Sequence, residues 1–334
     1  MLTPPVVMAT YYYGERALRL VLLSALTAVI AEYIGSIFVR RKATLIDLNA
    51  LCIGVMIPLL LPASSPVWLP MVGVVFAVVA VKLPFGNARS VLFDPVCGAI
   101  AFLTVCSKAY VFRYPVVGKI TLANIVSGEE FVEGTSIGSL LFNNNSIGTN
   151  FANMLNIWIG NTVGPMGATC TFVFVALIVS MLFRRIKELP AVVSFLGVAA
   201  LFAALFPRVL TGRLVSVVME LSSGMLLFAA VFLLTNPTIL PKTLRGKVCF
   251  GAFAAAVCML MRYFGQFEEG VCFAILLADA LSEQFDRIHL PQFNFGKKNK
   301  TDNAVLSTEE LDRITDASFV DIGEVPQSGG ASNG

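Results

Sequence analysis

Apolar residues run in long blocks along this chain, and polar residues gather in the short connections between them. Residues 21–39, 67–81, 168–183 and 251–261 are almost free of charge, and blocks of that length fit spans of bilayer hydrocarbon. The pattern predicts an all-α polytopic protein with about nine transmembrane helices, at 17–39, 47–62, 66–81, 91–106, 166–183, 190–206, 214–234, 247–262 and 269–285. Several are short, and Pro58, Pro62 and Pro95 interrupt them. A helix broken in hydrocarbon frees backbone polar groups, so such breaks belong inside the protein or beside a cavity.

Composition narrows the class further. The chain is 57% hydrophobic and 13% charged, with mean hydropathy +0.80, too few polar side chains to coat a soluble protein of 334 residues. A net charge of +3 carries no nucleic-acid footprint, because basic residues in such proteins are placed by topology. None of the seven cysteines forms CxxC, and His289 is the single histidine, so no zinc set is expected; the cysteines read as small buried apolar residues. The first 16 residues lack the basic start and apolar core of a cleavable signal and read as a short extracytoplasmic N-terminus. Residues 17–290 form the membrane domain. The tail 291–334 carries Lys297, Lys298 and Lys300, then an acidic Ser/Thr-rich stretch and SGGASNG; it reads as disordered and cytoplasmic.

Charge sets the expected topology. Arg40, Arg41 and Lys42 follow the first span, Lys82 and Arg89 the third, Arg184, Arg185 and Lys187 the fifth, and Lys242, Arg245 and Lys247 the seventh. All four connections fall on one side of a cell membrane when the N-terminus is outside and the C-terminus cytoplasmic. The connection 107–165 then lies outside.

The two halves echo each other. DLNALCIGVMIPLLLPASSP from Asp47 is answered by ELSSGMLLFAAVFLLTNPTILP from Glu220, and KLPFGNARSVLFDPVCGAIAFL from Lys82 by MRYFGQFEEGVCFAILL from Met261. The offsets are about 173 and 179 residues. An odd number of spans between equivalent helices inverts the second copy, which predicts two inverted repeats with broken helices meeting near the midplane.

Two strings carry a family resemblance: VVAVKLPFGNARSVLFDPVC from Val78 to Cys97, and LTNPTILPKTLRGKVCFG followed by FEEGVCFAILLADALSEQFDR between Leu234 and Arg287. They resemble the RnfD/NqrB family, which comprises the D-type membrane subunit of Rnf electron-transport complexes and the B-type subunit of the sodium-pumping NADH:quinone oxidoreductase. The resemblance covers roughly Arg16 to Arg287, and the length resembles the Rnf branch more. It implies a duplicated helical fold related to urea and ammonium channels. It also implies a place in a membrane complex with other Rnf-type subunits that passes electrons between ferredoxin- and NAD-linked partners and moves sodium ions or protons. Neither a GxGxxG strand–helix unit nor a spaced Cys cluster is present, so hydride transfer and iron–sulfur chemistry would belong to neighbours.

That family carries FMN in phosphoester linkage on an extracytoplasmic loop, attached by a flavin transferase, and non-covalent riboflavin is a further possibility by resemblance. Here the loop contains VEGTSIGSLL, 132–141. Laid on the family pattern, Glu133 takes the Asp place, Gly134 the Gly, Thr135 the free position and Ser136 the hydroxyl position. Ile137 replaces Gly, Gly138 replaces Ala, and Ser139 falls where the modified Thr stands. Serine offers the same nucleophilic oxygen, which makes Ser139 the attachment candidate, with Ser136 and Thr135 as the other hydroxyls. The same residues also suit a turn with capping hydroxyls.

Ionisable residues within apolar runs are functional candidates because burying them is costly. Asp94 precedes Pro95, and its counterpart is Asn236-Pro237; the family typically has Asn-Pro and Asp-Pro there, so the pair is swapped. Asp94 and Asn236 are read as ion-pathway candidates or as caps of broken helices. Asp47 and its mate Glu220 read as helix N-caps or ion ligands, and Asp279 as a solvated group near the inner end of the last span.

Overall fold

The computed structural model describes residues 1–38, 48–85, 92–116, 133–142, 151–184, 186–208, 212–265 and 269–287. The tail 291–334, Asp47, the 40–42 cluster and Arg89 lie outside them. The described residues are helical apart from turns and one isolated bridge, Pro115 to Glu133.

The first half comprises α1 (Thr3–Phe38), α2 (Leu48–Leu60), α3 (Trp68–Val75), which runs on as a π-helical stretch Phe76–Lys82, and α4 (Pro95–Cys106). Two short helices, α5 (Ile137–Phe142) and α6 (Phe151–Ile159), follow. The second half comprises α7 (Thr171–Phe183), α8 (Leu189–Leu205), α9 (Arg213–Ser222), a turn Leu226–Phe228 leading into a π-helical stretch Ala229–Leu233, α10 (Leu244–Phe264), α11 (Val271–Ala280) and α12 (Ser282–Arg287).

Helix begins at Thr3 rather than at residue 17, because Pro4 and Pro5 sit in the first turn, where a missing N–H costs nothing. Gly14, at φ 64 and ψ −150, breaks the run without ending it, a conformation open to glycine alone. Among the described residues, two helices, Thr3–Ile37 and Leu244–Phe264, are long and apolar enough to cross a membrane, and Arg213–Ser222 with Leu226–Leu233, bent by 69°, makes up to three. The other apolar helices have 10–17 residues. At 1.5 Å per residue, α4 and α11 reach about 15–18 Å, roughly half the hydrocarbon core. The predicted span 91–106 shortens because the helix waits for Pro95, and 269–285 splits at Leu281.

Breaks are closed from elsewhere in the chain. After α2, Leu59 O and Leu61 O accept from Gly167 N and Met166 N at 2.8 and 3.1 Å, and Arg16 donates to Ser64 O and Ser65 O at 3.2 Å. Gly167 is required there: a Cβ would lie 2.5 Å from Leu59 Cβ.

Helix pairs α1–α2 and α8–α10 make the most extensive packing, and α4 lies along α11. The α1–α2 seam is built from small residues, which lets backbones approach where hydrophobic driving force between helices is absent. Ser24 Oγ donates to Gly54 O at 2.7 Å, and a Cβ on Gly54 would stand 2.7 Å from Ala28 Cβ and 2.9 Å from Ala25 Cα. Gly54→Val should therefore cost about 1–3 kcal/mol by overpacking, read as a lower thermal midpoint of the detergent-solubilised protein, whereas Gly197→Ala, with open space around it, should not.

At the start of α10, Asp286 on α12 accepts from Lys242 N, Thr243 N and Thr243 Oγ1 at 3.0–3.1 Å. Partial burial opposes ionisation, but these donors and the Lys242 charge outweigh it and hold the carboxyl below its ordinary value. A depressed folded pKa gives stability that is fully present above the unfolded value, about 3.9, and that is lost as pH falls through the folded value. The thermal midpoint of wild type should exceed that of Asp286→Ala at neutral pH, and the gap should close on acidification below about pH 4.

Candidate functional site

The hydroxyl-bearing segment 133–142 is seated on the second half. Gly134 N donates to Tyr114 O at 2.9 Å, and Glu133 pairs with Arg113. Ser136, buried, caps α5: its Oγ accepts from Ser139 N at 3.0 Å, an N-cap geometry. Ser139 Oγ donates to Ser136 O at 2.9 Å and is half-buried, while Thr135 is exposed. Ser136 and Ser139 are thus brought together, one as cap and one as a hydroxyl with lone pairs to spare. Leu141 anchors the segment in a small cluster with Ile157 and Met219.

Gly138 faces Glu269; a Cβ there would be 3.5 Å from Glu269 Oε1. Glu269 belongs to a buried ionic cluster centred on Arg262. The Arg262 guanidinium donates to Glu220 O (2.9 Å), Ser223 Oγ (2.9 Å) and Ser223 O (2.8 Å), and pairs with Glu269 Oε1 at 3.3 Å and Glu220 Oε2 at 3.4 Å. Glu220 O and Ser223 O are carbonyls freed where α9 breaks from the next turn, so the arginine satisfies backbone that no water reaches. Gly224, φ 63, makes the bend and leaves room for the Glu269 carboxylate, whose Oε2 accepts from Met225 N at 3.3 Å. Arg208 completes the set, 3.7 Å from Glu220 Oε1 and 3.6 Å above the Tyr263 ring. Two cations meet two anions.

Glu220 is therefore not a helix N-cap: it lies two residues before the end of α9, 1% exposed. Pattern reading missed Arg262, Glu269 and Arg208. The available signal was a lone arginine closing an apolar block, which must find partners.

Asp94 and Asn236 do meet, although they stand 142 positions apart in the chain. Asp94 caps α4, its Oδ1 accepting from Val96 N (2.8 Å) and Cys97 N (3.1 Å), and its Oδ2 accepts from Asn236 Nδ2 at 3.1 Å. The side chain thus caps α4 with one oxygen and meets Asn236 with the other. Asp94 N in turn donates to Asp279 Oδ2 at 2.9 Å. Asp279 is 2% exposed, not solvated as the sequence suggested, because α11 runs antiparallel against α4 and ends beside Asp94. A cavity of about 230 Å³ opens here, lined by Asp94, Asn236, Lys82, Asn49 and Thr238 among others; Lys82 is paired with Glu32 at 3.0 Å.

Fold and site define a helical membrane protein with short broken helices, a segment bearing a half-buried serine hydroxyl, and buried carboxylates at the junction of its halves. The chain belongs to the NQR2, RnfD, RnfE family, whose model matches residues 1–295. It is 25% identical over 299 residues to the D subunit of the proton-translocating ferredoxin:NAD(+) oxidoreductase complex of Clostridium ljungdahlii, covering 87% of each chain. It is 28% identical over 330 residues to the D subunit of the ion-translocating oxidoreductase complex of Aliivibrio salmonicida, covering 88% of this chain and 91% of that one. The D subunit of the Na(+)-translocating ferredoxin:NAD(+) oxidoreductase complex of Acetobacterium woodii is 25% identical over 297 residues, covering 86% and 85%.

The Arg262 cluster gives a sharp expectation. Arg262→Met leaves Glu269 without its cation, while Glu220 keeps Arg208, and should cost about 3–5 kcal/mol, seen as loss of folded protein from the membrane. Adding Glu269→Gln should recover part of it, since Arg208 and Glu220 then balance each other.

Proposed function

We propose that this chain is the D-type membrane subunit of an ion-translocating electron-transport complex, working with Rnf-type partner subunits between ferredoxin- and NAD-linked chemistry. The family match across residues 1–295, with relatives so named over nearly their whole length, carries the reading. The antiparallel packing of α4 against α11, which follow the FG landmarks of the two halves, supports the inverted duplication; the nine spans are proposed on the length of the apolar blocks. The positive-inside pattern supports a cytoplasmic C-terminus in the cell membrane, with 107–165 outside.

The segment 133–142 fits a phosphoester-linked FMN at Ser139. The hydroxyl stands half-exposed in the first turn of α5, and Ser136 rather than Ser139 supplies the cap. FMN held there would supply a one-electron carrier; the chain's own part is to present the hydroxyl to a flavin transferase and to hold the segment against Glu269 and Met219. Riboflavin is not assigned to the cavity beside Asp94, whose roughly 230 Å³ falls below the usual range of about 300–1,000 Å³ for small-molecule pockets. The departures at Glu133, Ile137 and Gly138 from the family pattern favour one second reading, a channel-like subunit that keeps the fold without the flavin.

Peptide mass analysis separates the two. A peptide spanning 132–141 from protein made in flavinylating cells should carry FMN minus water; Ser139→Ala should abolish it and Ser139→Thr retain it. Electron transfer through the assembled complex should fall in Ser139→Ala while protein level holds, since no span or anchor changes. Unmodified wild-type peptide would leave the channel-like reading standing. The complex itself is tested by purifying the tagged chain from its membrane: companion subunits and ferredoxin-dependent NAD reduction should accompany it, and a lone chain with neither would overturn the assignment.

A further inference from the structure

The chain buries two carboxylate clusters, and their electrostatics differ. Around Arg262, two arginines face two glutamates; adding a proton there would leave a buried excess of positive charge. At the junction of α4 and α11, two aspartates lie side by side, joined by the Asp94 N–H on Asp279 Oδ2, and among the described residues no cation pairs with either.

The aspartates are not equivalent. Asp94 accepts three hydrogen bonds and sits at a helix N-terminus, which favours its ionised form. Asp279 is 2% exposed and receives one donor among the described residues, Asp94 N on Oδ2; Oδ1 has none. It stands one residue from the C-terminal end of α11, where the helix dipole opposes a negative charge, and beside the Asp94 carboxylate, which opposes it again. A carboxylate so placed is relieved by taking up a proton.

We propose that Asp279 is a proton-carrying acid at the junction of the two halves, neutral at rest and releasing its proton toward the cavity that Asp94 lines. The step moves one proton: an O–H bond breaks at Asp279 and one forms on a water of that cavity, with no change of oxidation state. It deepens the ion-translocating reading and rests on it for its purpose, not for its chemistry. The ionisable groups around Asp279 leave this balance in place. Asp94 and Cys97 face it from α4, and Cys272 lies on its own helix. From α10 come Cys258 and, farther along, Arg262, committed to Glu220 and Glu269. On α12, Asp286 is committed to Lys242 and Thr243, and Glu283 is exposed. The stretch 229–233 brings none. Arg89, five positions before Asp94, lies outside the described residues and enters the test.

Infrared spectroscopy of the full chain in lipid vesicles reads the proton directly. At neutral pH, wild type should show the C=O stretch of a buried protonated carboxyl, shifted in D2O. Asp94→Asn should keep the band, Asp279→Asn should remove it, and Asp279→Glu should move it, which covers the case that Asp279→Asn fails to fold. No band in wild type, a band that survives Asp279→Asn, or a band that appears only in Arg89→Gln would each overturn the proposal. In the assembled complex, Asp279→Asn should lower ion uptake per electron at least several-fold with electron transfer retained; unchanged uptake would overturn the transport role. A wild-type complex without coupled uptake would defeat the broader reading while leaving the infrared result to stand by itself.

Discussion

Carbonyls freed by a broken helix in hydrocarbon have no water to turn to, and much of this structure follows from that constraint. The chain breaks after α2 and after α9. Each break takes an arginine from a distant helix: Arg16 reaches Ser64 O and Ser65 O, and Arg262 reaches Glu220 O and Ser223 O. A guanidinium suits the task because its five donors are fixed in a planar fork that serves several acceptors at once. Its charge then has to be balanced where it is buried, which accounts for Glu220 and Glu269 beside Arg262.

That balance reaches the candidate site. Glu269 is positioned by Arg262 and by Met225 N, and Gly138 of the hydroxyl-bearing segment rests against it. The segment is thereby seated on the second half of the chain, although its residues follow the first. The other end of α11 does the opposite: Asp279 is delivered against Asp94 without a matching cation among the described residues. One helix thus joins a charge-balanced brace at its start to an unbalanced acid pair at its end. The brace is suited to holding structure. The acid pair is suited to gaining and losing a proton.

Asp94 shows how one carboxylate can serve two contacts. Its Oδ1 closes the N-terminus of α4, as an Asp before Pro commonly does, and its Oδ2 turns to Asn236 and the cavity. Capping is the role its geometry shows, and capping leaves the second oxygen facing the cavity. Ser136 and Ser139 are likewise divided, one hydroxyl capping α5 and the other donating to a backbone carbonyl.

Membrane class, helical content, the hydroxyl-bearing segment and the capping of a helix start by Asp94 before Pro95 were legible from residue order, whereas Pro58, expected to interrupt a span, lies inside α2. Each depends on local pattern: uncharged block length, Pro geometry, hydroxyls among small residues, a carboxylate in an apolar run. What the sequence alone could not decide was partnership. Helix ends moved because Pro95 and Leu281 set them, and α1 began early because Pro4 and Pro5 tolerate a first turn. Glu220 became an ion partner, and Asp279 a buried acid, only because α10 and α11 fold back onto residues 42 and 185 positions away. Burial and charge balance are properties of what packs against a side chain, and in this protein the tertiary structure alone brings those neighbours together.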